Sequence, residues 1–441
     1  FATTEVSYEI GAVVQEGVAE FPLEQISNPV TGDPGVRVSF FDADGAELFS
    51  EDRRSTALVW FGGDAPIAAS RRVVLETDFV AAETGDVELG FAGANPGVLQ
   101  VDGETVLDEE PAIEGTDLGA AFLNPPSLTA TVAVQAGVAR RIRLELRVNE
   151  SESALSGALS ATLGIAPERT DPDALIARAV ASATDAEIAV VVVGTNSKVE
   201  SEGYDRTDLA LPGRQDDLVR AVAATGTPTV VVVNAGSPVE LPWASDVAAI
   251  VQGYFGGQEF GTAVADVLTG TAEPGGRLPT SWPAALADVP VTAVTPTGGT
   301  LRYEEGIHIG YRAWLKDAAA PAFPFGHGLG YTTWSWGAAQ RDGDALEVTI
   351  ANTGARAGKQ VVQVYAERAD SSVERPVRWL VGYGVVRAAA GETVTARIAL
   401  PTRRFAHWNG AGWQVEPGTY TLRIGASVAA LNLELDWNIN A

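Results

Sequence analysis

The sequence predicts a multidomain chain of α/β plus all-β class: a β-sandwich, a parallel-sheet α/β sandwich, and a second β-sandwich of fibronectin III or immunoglobulin type. Three observations carry this expectation. Residues 36–148 alternate apolar and polar side chains over short segments broken by Gly, Asp and Asn. From Asp171 apolar residues recur at helical spacing and alternate with short β-branched runs. From Trp334 the short β period returns. A length of 441 residues accommodates three domains of ordinary size.

In chain order, EVSYEIGAVV (5–14) has strand character, and Pro29–Gly35 marks a boundary. VRVSFFD (36–42), RRVVLETDFVA (71–81), GDVELGFAG (85–93), GVLQVDGETVLD (97–108) and RRIRLELRV (140–148) read as strands, with Asp102-Gly103 as a tight turn. Trp60 and Phe61 lie on a Gly-rich loop, where exposed rings could stack on a sugar and buried ones would pack a core. Asp171-Pro172 opens a helix. Ile188–Val193 reads as a buried strand, Gly194–Arg206 as a polar loop, and Gly213–Ala224 as an amphipathic helix. Strand Pro228–Asn234, the apolar segment Ala248–Gln252 and helix Gly261–Leu268 follow, implying a parallel sheet with helices on both faces. About seven further strands fill the remainder.

Composition narrows the function. With 57 acidic against 30 basic residues the formal charge is −27, which argues against nucleic acid or an anionic membrane as partner. The absence of cysteine excludes thiolate chemistry and disulfides. Three scattered histidines, His308, His327 and His407, lack metal-site spacing, so neither metal nor cofactor is expected. No apolar run reaches the roughly 18 residues of a membrane span, and no signal-peptide pattern opens the chain. A soluble protein, cytoplasmic or secreted and open to homo-oligomerisation, is the expectation. Methionine is absent and the chain starts at Phe1, so a fragment or processed piece of something longer is expected.

Six blocks then occur in one order: SEGYDRTDLAL with PGRQDDL (201–218), VVNAGSPVELPW (232–243), GGQEFGTAVADVLTG (256–270), PGGRLPTSWP (274–283), YEEGIHIGYRAW (303–314) and FPFGHGLGYTTW (323–334). Together they resemble the second half of the α/β sandwich of glycoside hydrolase family 3 and its lead into a fibronectin III-like domain. The FFD, TGDVELGFAG and VDGETVLD passages resemble a PA14 domain. The resemblance divides the chain into 1–33 (the end of the first part of the α/β sandwich, and a linker), 34–166 (PA14-like), 167–333 (α/β sandwich) and 334–441 (fibronectin III-like). The family's nucleophile, an aspartate in an SDW-type motif of a TIM barrel, has no counterpart here. That barrel is expected in cis or as a second chain.

Retaining glycosidases need two carboxyl groups. The resemblance gives Glu202 the general acid/base role on a β-glucoside or oligosaccharide, with Tyr204 beside it as a substrate contact. Gly203 gives the loop backbone freedom to lean over a pocket. Glu200 is a weaker rival, Asp205 and Arg206 suit a loop-fixing ion pair, and Glu259, Glu304 and Glu305 read as structural. His327 is expected to order a linker. The loop after the strand lacks the glycine spacing of a phosphate cradle. The alternative reading is a non-catalytic carbohydrate-binding or scaffold protein built from PA14 and fibronectin-like modules.

Overall fold

A computed structural model of the chain describes residues 4–14, 17–61, 63–112, 122, 125–148, 157–167, 171–197, 199–200, 206–292 and 295–440. It divides into two compact units: Phe1–Thr207 with Leu211–Val233 and Ser245–Val251, and Asp208–Ala210 with Asn234–Ala244 and Gln252–Ala441.

In the first unit, two antiparallel sheets enclose one apolar cluster. The seven-stranded sheet contains Val36–Phe41, Arg72–Val80 and Ala139–Arg147 at its centre, and the five-stranded sheet contains Gly85–Gly93 and Leu159–Ile165. Period-two patterning places the core. In VRVSFF, Val36, Val38 and Phe40 are buried, while Arg37, Ser39 and Phe41 are only half-buried. At the turn between Gly97–Val101 and Glu104–Glu109, Asp102 and Gly103 have φ of 51° and 86°, the paired positive values of a type I′ hairpin. Asp102 also accepts the Arg141 N–H at 2.8 Å, tying that turn to the neighbouring strand.

The same unit carries the α/β elements. Helix Pro172–Thr184 starts at Asp171, whose carboxylate accepts the Asp173 N–H, with Pro172 at the first helical position. Strand Ala189–Gly194, helix Gln215–Ala223 and strands Thr229–Asn234 and Ala249–Gln252 follow, within a residue or two of expectation, and the strands form a three-stranded parallel sheet in that order. Ala189, Val191 and Val193 face inward with Leu218, Val219 and Val222 of the second helix.

Two expectations fail here. Ile188, Val190 and Val192 are 61%, 47% and 61% exposed, so the first strand is covered on one face only. Residues 5–14, expected as a strand, join no sheet; Ser7–Gly11 instead line a cavity of about 280 Å³ beside Ala186 and Ile188–Val192. Strand conformation needs a hydrogen-bonding edge, and alternating residues alone do not supply one.

The second unit is dominated by a sandwich of a three-stranded sheet (Trp334–Asp342, Ala345–Asn352, Thr393–Ala399) and a four-stranded sheet (Gly358–Glu367, Trp379–Ala388, Gly418–Gly425, Leu431–Ile439). The seven strands match the expected number, and their core holds Trp379, Phe405, Tyr420 and Trp437. The buried Tyr420 donates its hydroxyl to the Glu416 carbonyl at 2.8 Å, a backbone anchor four residues upstream typical of immunoglobulin-like sandwiches.

Glu416 holds the adjoining loop. Its side chain, 13% exposed, lies 3.5 Å from Arg368 and 3.6 Å from Arg375. It accepts the Ser372 N–H at 2.7 Å and the Ser371 hydroxyl at 2.8 Å. The Ser372 backbone N–H leads in holding its pKa down at about 2; serine side chains and Arg368 add to this, and burial opposes it. A depressed carboxylate pKa contributes stability that is complete above the ordinary glutamate range and lost as pH falls towards about 2. Glu416→Gln is therefore expected to cost about 2 kcal/mol at pH 7, where Arg375 loses its counter-charge and Arg368 keeps only Asp370, at 3.4 Å. The gap from wild type should narrow on acidification and be smaller at pH 3 than at pH 7, as read by denaturant unfolding.

Candidate functional site

The loop between Gly194 and the helix at Gln215 is anchored at both ends by the chain's own polar groups. Gln215 is the main anchor. Its side chain is 3% exposed, donates to the Gly194 carbonyl at 2.8 Å and the Pro212 carbonyl at 2.9 Å, and accepts the Gly194 N–H at 2.7 Å. One buried amide thus satisfies the backbone where the strand ends and ties it to the start of the next helix. Beside it, Gly213 has φ of 67°, and a Cβ there would stand 3.3 Å from the Val13 carbonyl oxygen. Arg214 pairs with Asp217 and, at 3.1 Å, with Asp173 of the preceding helix.

The first residues of the loop turn sharply. Asn196 donates its side-chain amide to the Val14 carbonyl at 2.7 Å, while its own carbonyl accepts the Val199 and Glu200 N–H groups at 3.1 and 3.0 Å. Glu200 receives the Thr195 hydroxyl. Glu200 is thus engaged in shaping the turn.

Glu202, Tyr204 and Asp205 lie outside the described residues, as does the Asp205–Arg206 pairing; Arg206 itself is half-buried. Trp60 departs from the sugar-stacking expectation. It is fully buried, set edge-on to Phe40 with centroids 5.4 Å apart, and its indole N–H donates to Glu51 at 2.6 Å. Strand alternation decides this, because Trp60 shares the inward face with Leu58 in a strand of pattern exposed-buried-exposed-buried. Phe61, one residue on, is 59% exposed.

The remaining candidates are spread through the second unit. Glu259 occupies the N-cap position of helix Phe260–Leu268 without a side-chain capping bond, and Glu304 is exposed. Glu305 accepts the His308 N–H on its backbone carbonyl at 3.0 Å. His327 packs on Phe323, accepts the Leu278 N–H on its carbonyl at 2.8 Å, and has its pKa lowered by burial and by Arg277. It links two segments of the chain through its backbone.

Reading residue types at a strand end passed over Gln215. The available signal was a lone glutamine at a helix start directly after Pro-Gly-Arg. Gln215→Leu, which keeps the bulk and removes the amide, is expected to cost about 2 kcal/mol for the unpaired Gly194 groups. Amide exchange over 189–199 should accelerate relative to the rest of the chain, and unchanged exchange there would contradict the anchoring role.

The sequence profile of the glycosyl hydrolase family 3 C-terminal domain matches residues 20–331, and that of a fibronectin type III-like domain matches residues 360–428. A beta-glucosidase of Rhizobium radiobacter is 37% identical over 385 residues, covering 83% of this chain and 47% of that protein. The crystal structure of a beta-glucosidase from Kluyveromyces marxianus in complex with glucose superposes with a TM-score of 0.84 at 29% identity, covering 99% of this chain and 54% of that one. A beta-glucosidase from Streptomyces venezuelae in complex with D-glucose gives a TM-score of 0.65 at 27% identity, over the whole of this chain and 51% of its own. The chain therefore spans about half the length of these relatives. From the family match over most of its length, this chain belongs to glycosyl hydrolase family 3.

Proposed function

We propose that this chain supplies the general acid/base of a retaining β-glycosidase acting on terminal β-linked glucose, with Glu202 as that group and Tyr204 as a substrate contact. The nucleophilic aspartate comes from a TIM barrel outside these residues, in cis or as a second chain. The observation that carries the reading is the SEGYDR motif, which follows a parallel strand in chain order, inside a family match covering residues 20–331. Chemistry at the carboxyl end of such strands is the general habit of α/β sheets. The family membership does not favour the scaffold-protein alternative.

In this mechanism two carboxyl groups about 5–5.5 Å apart flank the glycosidic bond. The aspartate attacks the anomeric carbon while Glu202 gives its proton to the departing oxygen. Glu202 then takes a proton from the water that releases the glycosyl-enzyme. The Gln215 anchor holds the root of this loop at Gly194 and Pro212. Residues 34–166 fill the role of a PA14-like wall on the aglycone side, followed by the acid/base-bearing sandwich and, from 334, the fibronectin III-like domain.

The exposed face Ile188, Val190 and Val192 supports a body that completes the sheet, because parallel strands ordinarily have both faces covered. The barrel-bearing half is the occupant assigned to it. Val190→Lys should leave the stability of this chain within about 0.5 kcal/mol of wild type, as surface substitutions do. The same change should weaken association with that half in a pull-down or native mass spectrum.

In the complete enzyme, Glu202→Gln should lower turnover of glycosides with poor leaving groups by about 10²–10⁴-fold. Azide should restore turnover of aryl glucosides with good leaving groups, since these depart without a proton and need only a second nucleophile. Unchanged activity would remove Glu202 from the role.

A further inference from the structure

We propose that the hairpin His407–Gln414 is a carbohydrate-binding platform on which Trp408 and Trp413 seat a pyranose ring of a neutral β-glucan chain. The choice of a β-linked glucan rests on the proposed function, while the binding itself does not depend on the acid/base assignment. The starting observation is one of economy. Of ten tryptophans, only Trp408 and Trp413 stand mostly in solvent, at 55% and 54% exposure, and they are direct partners across one two-stranded hairpin. Large aromatics left in water beside one another mark a binding surface more often than a packing accident.

Their geometry leaves ring surface available. The centroids are 5.6 Å apart and the planes cross at 67°, so the two indoles meet edge to face as the walls of a corner, and each keeps more than half of its surface in solvent. The Arg403 guanidinium sits 3.7 Å from the Trp413 centroid and closes one face of that ring, which fixes its orientation. Among the described residues, neither indole N–H nor the Arg403 guanidinium has a hydrogen-bond partner within the chain. An apolar corner with several unfilled donors beside it matches a sugar ring, which offers a flat C–H face and hydroxyl oxygens at its rim.

The platform is also rigid before any ligand arrives. Below it, Phe405 is fully buried and its carbonyl accepts from Arg375 at 3.1 Å, while a second Arg375 nitrogen lies 3.4 Å from His407 Nδ1. Above it, Asn409 Oδ1 accepts the Ala411 and Gly412 N–H groups at 3.0 and 2.9 Å, and the Asn409 N–H donates to the Gly412 carbonyl at 3.1 Å. Little ordering cost then falls on binding. Of the hairpin's other residues, His407, Asn409 and Gln414 are polar and Gly410, Ala411 and Gly412 are small, unlike the large aliphatic surround of a protein-docking patch. A net charge of −27 disfavours an anionic polysaccharide and leaves a neutral glucan.

The test is affinity electrophoresis of the whole chain in native gels containing soluble mixed-linkage β-glucan, with cellopentaose titrated by calorimetry. Wild type should be retarded. Trp408→Ala and Trp413→Ala should each weaken binding roughly fivefold or more, in the manner of aromatic anchors at interfaces. Trp408→Phe, which keeps a flat ring, should retain most of the binding. Tyr383→Ala, at an exposed aromatic elsewhere on the same sandwich, should change nothing. Thermal unfolding of each variant reports whether the sandwich survives, and Trp408→Phe keeps the comparison valid if an alanine variant does not fold. An unretarded wild type overturns the proposal, as does retardation that persists in both alanine variants. So does concentration-dependent self-association abolished by the same substitutions and indifferent to glucan, because that would make the corner a contact between copies.

Discussion

A single buried amide controls the relation between framework and loop. Gln215 closes three hydrogen bonds around Gly194 and Pro212, so the last residue of the first parallel strand and the first turn of the following helix are one rigid piece. Had the strand ended in solvent, the backbone groups at Gly194 would be free to reorient and the turn at Asn196 would lack a fixed root. Because these groups are satisfied internally, the turn made by Asn196, Val199 and Glu200 begins from a defined direction.

The sheet is short, and its composition is that of a larger one. Ile188–Val193 is apolar on both faces, yet only one face is covered, and residues 5–14 run beside the strand without pairing. The two antiparallel sandwiches differ from this sheet in being closed around their own cores. Each holds a continuous apolar cluster with aromatic side chains at its centre.

In the second sandwich, charge is used locally. Glu416 draws two nearly buried arginines and a serine turn onto one carboxylate, and Tyr420 anchors on the backbone of the same residue. The Trp408–Trp413 hairpin stands on the neighbouring Arg375–Phe405 contact. Its exposed aromatics therefore rest on one of the most heavily bonded parts of the chain.

Most of the architecture was legible in residue order. Period-two alternation located the sandwich strands, Asp102-Gly103 named its turn, and Asp171-Pro172 named a helix start, because each is a local signal tied to local backbone geometry. Family membership was legible too, since six blocks in order specify more than any one of them. Other features depended on neighbours distant in sequence. Trp60 and Phe61 differ by one residue, and only the pairing of Ala57–Trp60 with Leu159–Thr162 decided which ring was inward. Residues 5–14 carried strand character, but a strand exists only where an edge receives it. Gln215 looked like an ordinary helix-start residue until Gly194 was brought beside it, 21 positions away in the chain. Local conformation follows from side-chain type and spacing; burial and hydrogen-bond partnership are properties of pairs, and only the tertiary structure makes the pairs.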